Sequence, residues 1–457
     1  MQNLFIFGPK VTATLNQSCC CKTLQTLWNG FCCTAGTIDF LPENNFIMKI
    51  GDVRPLPLEN CDFSISVTTD GFCIAAEDRR GLLNGYMALL RQIQPICLER
   101  GSEQFFIPCG EIYGKPAVKK RMVHLCVFPE TTLPFITKFV RLCGVLNYTH
   151  LVLEFWGTLH FDCLKELSWP QALTKEQIKP IIKEANDMGL EIIPMFNHLG
   201  HAAASRGIHG KHVVLDQNPR LQGRFDEDGW TWNITKPEVR GLFQKIRREL
   251  YELCGGSYFH IGCDEAYRYG GENADISLLT RFLNETAAEI AGEGRRPIMW
   301  GDMLLNSKAA GVQEGYTCNC RNSKAAESLL TSLDKRLVIA DWQYDVTRSP
   351  VLTAEYLSSF GFDTLLCPWY DFKNIGACVE TAQQINNSGV MLTTWHTLSA
   401  RMFSLLVCAQ GCLTGKVNFA GRDYAAETAA LIRKVYFADG DYETAGWAKH
   451  QISEITL

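Results

Sequence analysis

From residue 121 onward, short apolar runs alternate with longer stretches whose apolar residues recur at helical spacing. The runs cover 122–127, 150–155, 191–196, 258–262, 297–300, 336–342, 363–369 and 390–395. Helical patterns fall between them, among them 174–188 with Gly189 as its cap, 237–253, 276–291, 350–359 and 375–387. Continuous apolar runs of this length suit buried parallel strands, and a 3.6-residue period suits helices that cover them. Eight strand–helix units predict an α/β chain folded as a (β/α)8 TIM barrel. A doubly wound open sheet alternates in the same way, but it carries a glycine-rich phosphate loop after its first strand. No such loop follows 122–127.

The first part of the chain has a different rhythm. Apolar stretches at 46–50, 63–67 and 71–76 are separated by turn residues, and 63–67 alternates with the period of two of a half-buried strand. Residues 81–94 then switch to helical spacing, with Leu82, Leu83, Tyr86, Leu89, Leu90 and Ile93 on one side. Strands followed by a helix predict a small α+β domain with one sheet face under the helix. The stretch 110–120, with Gly114 and Pro116, reads as a linker. The expected division is a small α+β accessory domain over 1–115 and a barrel catalytic domain over 116–457.

Composition narrows the class. Hydrophobic residues make up 46% and charged residues 20% of 457, a globular balance. A net charge of −5 gives no electrostatic reason to expect nucleic acid or an anionic membrane as a partner. No apolar run approaches a membrane span, and the first ten residues lack the basic start and long apolar centre of an export signal. The protein is therefore expected in the cytoplasm. Its twenty cysteines are not spaced as zinc knuckles, and most sit in apolar runs, so reduced core thiols are expected and no disulfide framework.

The chemistry gathers at Tyr258-Phe259-His260-Ile261-Gly262-Cys263-Asp264-Glu265. Successive strand residues point to opposite faces, so Asp264 and Glu265 serve one site only if the strand ends or bends there. Gly262 permits the bend. Two carboxylates in unlike settings suit work in which one stays ionised and the other carries a proton. Of the ten tryptophans, Trp300, Trp342, Trp369 and Trp395 end the last four runs. Active sites of this fold lie at the carboxyl ends of the strands, so four rings in register predict an aromatic-walled pocket. Arg121, His124, His198, His201, Tyr344 and Tyr370 reach the same rim on this pattern, and Glu154 is a rim or loop residue. An aromatic cup with an arginine and a carboxylate pair suits an uncharged polyhydroxylated ligand such as a sugar.

These residues resemble glycoside hydrolase family 20, the β-N-acetylhexosaminidases. The family motif His-x-Gly-x-Asp-Glu is matched by His260 to Glu265, Gly200-His201 resembles the Gly-His after the third strand, and Trp300, Trp342 and Trp395 match its aromatic box. The barrel is most similar to the hexosaminidase D branch through 260–265, 297–304 and 122–125. The resemblance implies an exo-acting, retaining hydrolase of terminal β-linked N-acetylglucosamine or N-acetylgalactosamine. In its substrate-assisted chemistry the substrate's own acetamide oxygen attacks the anomeric carbon, giving an oxazolinium-like intermediate. Asp264 then orients the acetamide, and Glu265 acts as acid and later as base. Trp300, Trp342 and Trp395 enclose the acetamide methyl, Arg121 binds ring hydroxyls, and His201 stands behind the acid. Tyr344 or Tyr370 meets the acetamide oxygen. Asn197 stands where many relatives have aspartate, and Asp371 falls one place early for the family's second acid.

The implied partner is an N-acetylhexosamine-terminated oligosaccharide or glycoconjugate, with no cofactor and no metal. The pattern leaves two other readings. One is a metal-dependent barrel hydrolase using His198, His201, His260 and Asp264. The other is a sugar-binding protein that has lost turnover.

Overall fold

The computed structural model describes residues 3–8, 10–19, 21–32, 37–95, 104–201, 218–272, 274–395 and 401–436. Its centre is a closed barrel of eight parallel strands, numbered in barrel order: β1 Lys120–Cys126, β2 His150–Glu154, β3 Glu191–Met195, β4 Tyr258–His260, β5 Arg296–Trp300, β6 Val338–Asp341, β7 Asp363–Leu366 and β8 Gly389–Thr393. Pairing of β1 with both β2 and β8 closes the ring. One long helix follows each strand on the outside: α1 Leu133–Val145, α2 Lys175–Asp187, α3 Pro237–Cys254, α4 Ile276–Gly292, α5 Ser323–Ser332, α6 Leu352–Ser359, α7 Phe372–Ala382 and α8 Phe403–Thr414.

The two-residue period of the strands sorts the side chains. Met122, Val152, Ile193, Ile298, Val338, Leu365 and Met391 fill the barrel interior. Their neighbours Val123, Leu151, Ile192, Ile339, Leu366 and Leu392 join the larger core under the helices. Every barrel strand is thus buried on both faces, which is why the runs read as continuously apolar. Helix α2 starts where the pattern placed it, because Thr174 and Gln177 form a reciprocal capping box. Helix α3 stops at Gly255, whose φ is +66°.

Seven strands end sooner than their apolar runs, and three of them by two or three residues: β4 at His260, β7 at Leu366 and β8 at Thr393. The runs continue because the following residues fold inward over the barrel mouth. Burial outlasts strand geometry there.

Ahead of the barrel lies an α+β unit. Its six-stranded sheet runs in the order Thr37–Glu43, Lys10–Asn16, Ile47–Ile50, Gly71–Ala76, Phe63–Thr68 and Gly110–Gly114. The helix Arg79–Leu90, capped by Asp78, packs on it with a nearly continuous buried face. A helix over Lys22–Cys32 links the two parallel strands Lys10–Asn16 and Thr37–Glu43. The linker expected over 110–120 is corrected in part, since Gly110–Gly114 pairs antiparallel with Phe63–Thr68. An edge strand with glycine at both ends carries little hydrophobic signal. Asn147 Nδ2 donates to Asn84 O (2.9 Å) and Thr23 Oγ1 to Asp187 Oδ2 (2.9 Å), tying this unit to the barrel. No helix among the described residues is long and apolar enough to cross a membrane.

Candidate active site

Strand β4 ends in a sharp turn that presents both carboxylates. Gly262, Cys263 and Glu265 take φ values of +65°, +74° and +48°, a left-handed cluster that side chains other than glycine enter only when held. A Cβ on Gly262 would stand 2.4 Å from Asn197 Cγ, so the turn also needs a residue without a side chain. Asn197 is what holds it. Its Oδ1 accepts the Cys263 N–H (2.8 Å), while its Nδ2 donates to Asp264 Oδ1 (2.5 Å). The other oxygen of Asp264 lies 2.9 Å from His201 Nε2, which is 3.7 Å from Glu265 Oε2. Trp230 completes this side, its ring 4.5 Å from His201 and its indole N–H on Glu265 O at 2.9 Å.

Asp264 is buried, whereas Glu265 keeps a half-buried carboxylate. The adjacent acids therefore sit in unlike environments.

A third acid, Asp302, anchors the other wall. Its Oδ2 accepts the Glu265 backbone N–H (2.9 Å) and Asn319 Nδ2 (2.8 Å), and its Oδ1 accepts the Trp342 indole N–H (3.3 Å). Burial, reinforced by the nearby Asp264 charge, pushes Asp302 up to about 7. Behind Trp342 the β6 loop is pinned by Asp341, which accepts from Gln343 Nε2 (2.7 Å) and Thr353 Oγ1 (2.6 Å). Gln343 exchanges two hydrogen bonds with the Thr317 backbone, joining the β5 and β6 loops. The same loop brings Tyr344 into the cup, where its hydroxyl accepts the Trp395 indole N–H at 2.6 Å. The Trp342 and Tyr344 rings are 5.3 Å apart, and Trp369 stands 5.2 Å from Tyr344.

Of the residues singled out from sequence, Asp264, Glu265, His201, Trp342, Tyr344 and Trp395 come together at the mouth. Tyr370 lies farther along the same aromatic row, 4.6 Å from Trp369 and under the Arg401 guanidinium. Asp371 caps α7 through the Lys373 and Asn374 N–H groups. Glu154 is not part of a loop; it ends β2 at the barrel's mouth, buried among His124, Cys126 and Trp156.

Two expectations need correction. Arg121 is the second residue of β1, about 16 Å below the strand's carboxyl end at ~3.3 Å per residue. Its buried guanidinium donates to the carbonyls of Asn147, Val118 and Lys119, so it braces the barrel's base and meets no sugar. Trp300 is fully buried among the inner-layer residues and packs on His260, His124 and Trp395. It forms the floor beneath the cup, since β5 is still a strand at that residue and its side chain points inward.

The four-residue metal set does not assemble either. His198 stacks on Phe243 at 4.3 Å in the core, and His260 packs on Trp300 in the barrel. Burial holds both imidazoles neutral, His260 down to about 3. Sequence reasoning missed Asp302, Asn319 and Trp230. Asp302 had a visible signal, an acid two places beyond the end of a barrel strand. Asn319 and Trp230 had none, because loops bring them in from elsewhere.

A (β/α)8 barrel with an adjacent acid pair in an aromatic cup at its mouth is the architecture of a sugar-processing hydrolase. The sequence model for the catalytic domain of glycosyl hydrolase family 20 matches residues 153–399. The chain belongs to that family. It is 23% identical over 228 residues to lacto-N-biosidase of Bifidobacterium bifidum, covering 45% of this chain and 20% of that protein. It is 26% identical over 200 residues to hexosaminidase D of Bos taurus, covering 40% and 56% respectively. The chain thus spans less than two thirds of these relatives' lengths. Among solved structures, the family 20 exo-β-N-acetylglucosaminidase of Vibrio harveyi, in complex with N-acetylglucosamine, aligns with 96% of this chain and 76% of its own. The TM-score is 0.64 at 14% identity, a likeness of fold.

Proposed function

We propose that the protein is an exo-acting, retaining β-N-acetylhexosaminidase that removes terminal β-linked N-acetylglucosamine or N-acetylgalactosamine by substrate-assisted catalysis. The observation that carries this reading is the unlike setting of Asp264 and Glu265 on one strained turn. Asp264, buried and clamped by Asn197 and His201, orients the acetamide N–H and offsets the positive charge that develops as the acetamide oxygen attacks. Glu265, open to the mouth, protonates the leaving oxygen and then deprotonates the water that opens the oxazolinium ring. Trp342 and Trp395 flank the acetamide over the Trp300 floor, which fixes the attacking geometry. Tyr344, whose hydroxyl is already in the cup, is the residue we assign to the acetamide oxygen. The hexosaminidase D and N-acetylglucosaminidase likenesses support an N-acetylhexosamine substrate. The seventeen described cysteines, all free thiols, accord with the cytoplasmic location that we include in this proposal.

A thiazoline analogue of the cyclised intermediate tests the mechanism. It is expected to inhibit competitively and tightly, as mimics of high-energy species do. Asp264→Asn is expected to weaken that inhibition together with turnover. A fluorosugar that trapped an ester on Asp264 or Glu265 would replace this account with a two-carboxylate retaining mechanism.

A further inference from the structure

The top of β1 and β2 carries a second constellation that this hydrolytic chemistry does not use. His124 and Cys126 are two residues apart on one strand, so both face the barrel interior, as Met122 below them does. Strand register sets Cys126 directly beside Glu154 of β2. All three side chains are buried in a layer that barrels of this kind fill with branched apolar residues.

Their ligand atoms converge. His124 Nε2 stands 3.0 Å from Glu154 Oε2, and Cys126 Sγ lies 2.8 Å from the same oxygen and 3.6 Å from His124 Nε2. Among the described residues this is the one group of three histidine, cysteine or carboxylate donors close enough to share an ion. The surroundings orient it. Trp156 donates its indole N–H to Glu154 Oε1 at 3.0 Å, which turns Oε2 toward the other two donors. Thr394 Oγ1 donates to the His124 carbonyl (2.9 Å) and steadies the strand. Ligand-orienting hydrogen bonds of this kind are the usual outer shell of a metal site.

We propose that His124, Cys126 and Glu154 form a binding site for a divalent cation of the zinc class. Zinc takes thiolate, imidazole and carboxylate at about 2.3, 2.0 and 2.1 Å, which sets tetrahedral ligand atoms about 3.3–3.6 Å apart. The observed triangle is slightly tighter, as suits donors that share protons in place of an ion. On binding, the sulfur–metal bond forms as the Cys126 proton leaves to solvent, and the imidazole contributes its Nε2 lone pair. One thiolate and one carboxylate then balance the 2+ charge, so the buried site is neutral. Magnesium and calcium are excluded by the sulfur and nitrogen donors, which hard cations bind poorly. The His124 ring lies 4.8 Å from Trp395, so an ion here stiffens the wall against which that tryptophan leans.

The test uses the full chain, stripped with a chelator and given one equivalent of Zn2+ or Co2+. X-ray absorption of the zinc form is expected to show one sulfur with nitrogen and oxygen neighbours, and the cobalt form a thiolate charge-transfer band. A first shell of several sulfurs, or of none, overturns the site. Cys126→Val is expected to abolish the band, and Glu154→Gln to weaken zinc binding at least tenfold. Unchanged zinc affinity in either variant also overturns it. The absorption measurement on the unmutated chain decides the matter even if both variants fail to fold.

Discussion

Glu265 is the residue on which the proposed chemistry turns. Replacing it with glutamine keeps the shape and the backbone hydrogen bond to Asp302 but removes the transferable proton. For a substrate with a poor leaving group, kcat/KM is expected to fall by ~10²–10⁴-fold, the usual contribution of a positioned acid. An activated aryl glycoside needs less protonation, so its first step is expected to suffer much less. Steady-state kinetics on the two substrates separate these outcomes, and equal losses on both would remove Glu265 from the role of acid. At this scale the sequence was informative where chemistry is carried by an uncommon local pattern. The Asp264-Glu265 pair after a glycine-broken strand was legible. Arg121 was not, because its partners are the backbone carbonyls of Val118, Lys119 and Asn147, and carbonyls leave no mark in a sequence.

The element that makes the site is the turn after β4, and its glycine is the position to probe. Gly262→Ala places a methyl 2.4 Å from Asn197 Cγ on a backbone with φ of +65°. The strain alone costs ~1–3 kcal/mol, and relieving the overlap must push Asn197 off Asp264. The variant is expected to keep a folded barrel by circular dichroism while losing most of its turnover. Full activity would show that the turn does not set the carboxylates. The β6, β7 and β8 ends teach a related lesson about legibility. Hydrophobicity reported that Trp342, Trp369 and Trp395 are partly covered, yet it could not separate strand from following loop, because both take side chains partly out of water. Helix α2 was read closely because its capping box is local. The Gly110–Gly114 strand was missed because only distant pairing with Phe63–Thr68 makes it one.

Across the whole molecule, buried ionisable groups shape the response to pH. Asp302 keeps its proton up to about 7 in the fold, while an unfolded aspartate releases it near ~3.9. Between those values the native state binds more protons than the unfolded state. Stability contributed by Asp302 is therefore present in acid and lost as pH rises from about 4 to about 7. Asp341, which burial pushes up to about 6, acts in the same direction. His260, held down to about 3, acts in the opposite one, because its unfolded form takes a proton below ~6.5. Asp302→Asn cancels one of these contributions. Its melting temperature relative to the parent is expected to improve from pH 5 to about pH 7 and to level off above that. A difference that stayed constant over that range would mean that Asp302 is ionised throughout.

Alternation of residue types determined, with no structure in hand, that eight strands and their helices form a barrel, and the motif at 260–265 determined where the acids stand. Both are local properties: a continuous apolar run marks a strand buried on both faces, and a glycine marks a bend. The tertiary structure alone decided which residues meet. Closure of β1 against β8 and the folding of loops over the mouth brought Asn197 to Asp264, Asp302 to Trp342 and Tyr344 to Trp395. It also sent Arg121 to the base and Trp300 to the floor. Such meetings join residues far apart in the chain, and their geometry is fixed by how the packed elements close on one another.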